Sequence, residues 1–143
     1  MSTTTTATTA TTRTAGTGRI ANRALWTVQI VIGLFLIVAS AAPKLFGQED
    51  AVRIFTEMGG GDGLRYAVGI LELAGGIGLL LAPFAAAAAT GIVALMIGAA
   101  ITQAFVLDKP SYVVTPLIIG ALMVWVAVAR RHRTIAFLQG LGR

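Results

Sequence analysis

The sequence predicts an all-α fold, an integral membrane four-helix bundle that is antiparallel with both chain ends in the cytoplasm (N-in/C-in). Three observations lead there. The 143 residues contain four apolar stretches that approach the roughly 20 residues a spanning helix needs. Only 12% of residues are charged against 56% hydrophobic, and mean hydropathy is +0.82. A soluble domain carries about a quarter charged residues, so lipid is the implied solvent. The third observation is charge placement. Arg13, Arg19, Arg23, Arg130, Arg131, Arg133 and Arg143 fall near the two ends with no acid among them. Lys44, Arg53, Arg65 and Lys109 share the loops and span edges with Glu49, Asp50, Glu57, Asp62 and Asp108. The positive-inside rule then leaves loops 43–63 and 108–112 outside.

Residues 1–23 read as a disordered Thr/Ala-rich cytoplasmic segment, because they offer too little apolar surface to bury. A four-span domain covers 24–129, with spans near 24–42, 64–82, 85–107 and 113–129, and 130–143 forms a basic cytoplasmic tail. Trp26 suits the interface at the start of the first span. That span also imitates a secretory signal, with Ala39-Ser40-Ala41 as a cleavage site. Its long leader and near-spanning length favour retention. Residues 47–58 alternate between a short helix in the interface plane, apolar at Val52 and Phe55 and less regularly at Ile54 and Met58, and an ordinary polar loop. Pro116 falls in the first turn of the fourth span, where a missing N–H costs little.

Composition removes several chemistries. With no cysteine, the chain by itself holds no disulfide, iron–sulfur cluster or Cys-ligated zinc. Its one histidine, His132, lies in the basic tail, which excludes a His-ligated haem inside the bundle. The net charge of +5 reflects topology and anionic lipid rather than nucleic acid.

Glu72 is the deep charge of the second span, about 12 Å along the axis from Leu64. A charge at that depth must be paired, protonated or wetted. Gly69, Gly75, Gly76 and Gly78 surround it and admit close helix approach; Gly91 and Gly98 continue a small-residue stripe on the third span. Lys44, Thr102 and Gln103 fall at matching depths in the outer half, so Glu72, Lys44, Gln103 and Thr102 form the candidate ligand-binding set. Gln29 is placed in the inner half as an interhelical hydrogen-bonding residue. Two readings of Glu72 stand side by side. In one it binds a polar head group or relays a proton; in the other it pairs with Lys44 only to fix helix register. A small transporter ranks below both, since no internal repeat or broken span is evident.

Lys44-Leu45 at the end of the first span, the Gly-rich external segment and the run GILELAGGIGLLL resemble the DoxX family, in its DoxX-like branch, over about residues 28–107. The resemblance implies a four-helix protein of the bacterial cell (cytoplasmic) membrane, associated with quinone-linked oxidoreductase subunits. Its family-like positions are Lys44, Glu72, Gly75 and Gly76. No cofactor is evident in the letters, so any redox role would need a bound quinone or a partner redox subunit to carry electrons. An accessory or ligand-binding subunit is therefore expected rather than an autonomous enzyme. Membrane lipid, a partner membrane subunit and a second copy of the chain are the partners in view.

Overall fold

The computed structural model describes residues 14–141, and the Thr/Ala run before Thr14 lies outside the described residues. Among those described, helices account for the secondary structure and no strand occurs. Helix α1 covers Thr14–Leu34 and continues through a π-helical segment, Phe35–Ala41, into the single turn α2, Ala42–Leu45. Helix α3 is Glu49–Glu57, α4 is Gly61–Leu80 and α5 is Ala85–Ile101. A second π segment, Thr102–Val106, and a 3₁₀ turn, Pro110–Val113, lead into α6, Val114–Leu141. Among the described residues four helices are long and apolar enough to cross a membrane: Gly18–Leu45, Gly61–Leu80, Ala85–Val106 and Pro110–Gly140.

The first and last helices outrun the spans expected for them. Residues 14–23, expected to be disordered, are helical. Asn22 supplies a reason, since its side-chain carbonyl accepts a hydrogen bond from Arg130 at 3.0 Å and ties that turn to α6. At the other end, Arg130–Arg133 do not form a separate tail, because α6 continues to Leu141. Arginine is a good helix former, so a basic cluster limits the apolar stretch without ending the helix. Phe137 near the end of α6 meets Phe84 edge-on at 5.5 Å between centroids. Residues 49–57 take the helical alternative, with Phe55 buried against α4.

Each long helix buries one stripe. On α4 it is Arg65, Gly69, Glu72, Gly76 and Leu79; on α6, Met123, Val126, Arg130 and Thr134. Both sets recur every three or four residues, the helical period. Leu36, Leu79, Ile92, Met123 and Val126 bring all four long helices into one core. Outside it, Val31, Val38, Ile70, Ile97, Leu117, Ile118 and Val128 are exposed, while Gln29, Arg65, Glu72 and Arg130 are buried. Polar within and apolar without is the distribution that lipid favours.

Gly76 decides how close α1 and α4 come. A Cβ there would stand 2.9 Å from the Gly33 carbonyl oxygen and 2.8 Å from Ile37. Gly75 is comparably tight against Ile92 at 2.9 Å. Gly91 and Gly98, expected to be packing glycines, differ: a Cβ at either meets nothing within 4 Å, because both sit on an outer face of α5. Gly76→Ala is therefore expected to cost about 1–3 kcal/mol through overpacking. Gly91→Ala should be neutral or stabilising by up to about 1 kcal/mol, since it only improves helix propensity. Thermal unfolding of both variants in detergent checks the contrast.

Candidate functional site

The first span ends in a proline, and that decides where its last charged residue goes. Pro43 has no N–H to donate and its ring crowds the preceding turn. The helix passes it by widening, with the Ala42 N–H bonding to the Ile37 carbonyl five residues back. Ser40 lies in this widened segment. Its carbonyl and its hydroxyl each accept from the Lys44 ammonium at 3.0 Å. The third Lys44 donor reaches across to Glu72 Oε1 at 3.1 Å, and Oε2 lies 2.8 Å away in ion-pair contact without hydrogen-bond geometry. The side chains are 18% and 6% exposed, so the pair is largely withdrawn from its surroundings. Lys44 turns inward to the carboxylate. Its three donors are all engaged.

Two neighbours hold this geometry. Gly69, one turn before Glu72, has the Lys44 and Leu45 side chains 3.1 Å from where a Cβ would stand. Arg65, two turns before Glu72, is buried; it donates Nη1 to the Lys44 carbonyl and Nη2 to Asp62 at 2.7 Å. An arginine on a terminal carbonyl closes the end of α2, where backbone acceptors lack helical partners. Its guanidinium also stacks 4.3 Å over Tyr66. Arg65 does not stand out in the sequence, where it reads as one more loop-edge charge. Its place seven residues before Glu72, on the same helical face, is the feature that would have found it.

Thr102 and Gln103 are not brought to Glu72. They lie in the second π segment, partly buried, whose main neighbours are α5 and the Pro110–Val113 turn. Neither hydrogen-bonds to Lys44 or Glu72. Gln29, by contrast, is fully buried and not alone. Its Nε2 donates to the Leu79 carbonyl at 2.8 Å, an acceptor in the last turn of α4, and its Oε1 accepts from Arg130 Nε at 2.8 Å. The Arg130 guanidinium lies 5.1 Å from the Trp26 ring. Arg130, expected in the tail, is thus an interhelical residue.

Two clefts stand out on the described surface. One, of about 670 Å³ between α4 and α5, is lined by apolar residues including Leu71, Gly75, Gly78, Phe84, Gly91 and Leu95. The other, of about 550 Å³, lies between α1 and α6. Neither touches Lys44 or Glu72. The α4–α5 cleft suits an acyl or isoprenoid chain, but none of its lining side chains can donate a hydrogen bond to a quinone carbonyl. With Lys44 committed to Ser40 and Glu72, the residues as arranged do not fit a quinone head group.

Long apolar helices packed over a few buried, mutually paired polar groups define a polytopic helical membrane protein. Residues 27–126 match the DoxX-like family, and the chain belongs to that family. No curated protein and no solved structure matches it. The family match includes Lys44, Arg65 and Glu72 and ends before Arg130.

Removing one member of a buried pair strands the other, whereas replacing both can be neutral. Lys44→Met is expected to cost on the order of 3 kcal/mol, with much of it recovered in Lys44→Met/Glu72→Leu. Unfolding of both single variants and the double in mixed micelles gives the coupling; additive effects would contradict the pairing.

Proposed function

We propose that the protein is an accessory subunit of a complex in the bacterial cell membrane, with antiparallel spans and cytoplasmic termini. In this reading Lys44 and Glu72 lock α1 against α4, and the chain's outer faces meet lipid and a partner subunit. The observation that carries it is the saturation of Lys44: three donors and three acceptors, with neither cleft beside the pair. An ammonium with all its donors committed serves helix register better than capture of a ligand. The wide apolar surface and the small-residue cleft at Gly75, Gly78 and Gly91 favour a covering partner.

A second reading keeps a quinone-like or other amphipathic small molecule, contacted by Glu72, Lys44, Gln103 and Thr102. Glu72 Oε2 favours it, since this buried oxygen has no hydrogen-bond partner among the described residues and is open to a donor. This reading requires Lys44 to release Ser40 or Glu72 when the head group arrives.

Two measurements test these proposals. Because the chain lacks cysteine, Ser111→Cys and Gln139→Cys can be labelled singly in intact cells. Ser111→Cys is expected to react with an impermeant reagent and Gln139→Cys to be shielded; labelling of both would reject the orientation. Native-gel mass and solvent extraction of the purified protein separate the functional readings. A partner subunit lost in Gly91→Leu and retained in Glu72→Gln supports the accessory role. A stoichiometric quinone lost in Glu72→Gln supports the second reading, and a lone chain without partner overturns the first.

A further inference from the structure

Arg130 is a buried cation with no carboxylate to neutralise it among the described residues. It is 3% exposed, and both groups that accept its hydrogen bonds, the Gln29 and Asn22 side-chain carbonyls, are uncharged amides. Its Nη2 is buried and bonded to nothing among the described residues. The ion pairs among the described residues are Lys44–Glu72, Arg53–Asp50 and Arg65–Asp62, and none involves it. Every Asp and Glu of the chain lies between Glu49 and Asp108, away from both helices that meet here. A guanidinium keeps its charge at any physiological pH, so it cannot escape the cost of burial by losing a proton. One turn further along the same stripe, the Thr134 hydroxyl is also buried without a hydrogen-bond partner.

The α1–α6 cleft supplies the missing charge's place. Arg130 lines it together with Arg19 and Arg133, beside Asn22, Leu25 and Ala129. Positive-inside sorting explains exposed arginines at a span end, but not an arginine drawn into the bundle to border a cleft with two more. Three arginines lining one cleft match an oxyanion with several acceptor oxygens, above all phosphate, which an arginine fork binds through paired N–H donors. The cleft lies where the apolar lengths of α1 and α6 give way to arginine-rich ends, and Ile20 and Val128 are exposed on those helices. A phosphate there would remain attached to acyl chains lying along the same helices.

We propose that the α1–α6 cleft is a phosphate-binding site that takes the head-group phosphate of an anionic phospholipid, held by Arg130, Arg19 and Arg133. The probe is phosphatidylglycerol in phosphatidylcholine nanodiscs, with lipid retention read by native mass spectrometry. Wild-type protein is expected to retain phosphatidylglycerol selectively, and the Arg19→Gln/Arg133→Gln double variant to retain about tenfold less or lower still. Both substituted residues are exposed, so the fold is left intact and the double variant decides the matter. Arg130→Gln also removes two interhelical hydrogen bonds, so its melting temperature is read beside its lipid retention. Displacement of the lipid by excess inorganic phosphate, with no preference for phosphatidylglycerol, would assign the cleft to a soluble anion and overturn the lipid source. Equal retention by wild type and double variant would overturn the site altogether.

Discussion

A carboxylate placed partway along a membrane-spanning helix has to be neutralised, and in this protein Lys44 does it. The contact at 2.8 Å sets conditions on everything near it. Gly69 must be small so that Lys44 can reach across; the helix must widen before Pro43 so that Ser40 faces the ammonium; Arg65 must cap the carbonyl of Lys44 itself. None of these residues is polar or small by accident of composition. Each answers to the cost of an unpaired charge in a medium of low dielectric constant.

The far end of α1 is fastened by a different chemistry. Gln29 closes an open carbonyl at the end of α4 and accepts from Arg130 of α6, so three helices share one amide. Gln29 and Lys44 are about fifteen residues apart, on the order of 22 Å along the helix. Polar contacts at both ends, with Gly33 seated on Gly76 between them, leave α1 little freedom to slide or turn. This division also separates two kinds of chemistry. One end is electrically closed, while the other carries excess positive charge.

The four long helices and the Lys44–Glu72 pair were legible in the letters, for physical reasons. A charge inside an apolar run is rare, and axial rise converts sequence position into depth, so matching depths identify partners. Gln29 was legible as an interhelical donor by the same logic. Arg130 was not: a basic cluster closing a span looks the same whether its first member faces water or the bundle. Only the spacing Met123, Val126, Arg130, Thr134 reveals the inward face, and the apolar members of that stripe draw no attention in a helix that is apolar all round. Gly91 and Gly98 show a related limit. Spacing tells which side of a helix is flat, not whether anything rests on it. Thr102 and Gln103 match Glu72 by axial arithmetic yet pack with α5 and the Pro110–Val113 turn instead, because depth arithmetic carries no angle.

The widened turn before Pro43 has a further meaning for how this chain tolerates change. A π segment holds one more residue than an α-helix of the same hydrogen-bonding path, so the turn beyond it is rotated by about 100°. In a chain of this length Lys44 faces Glu72 only while the segment stays widened enough to absorb that extra residue. A substitution that let Phe35–Ala41 relax to ordinary winding at full length would swing the ammonium away from Glu72, whereas loss of a single codon there would remove the extra residue and leave Lys44 facing its partner.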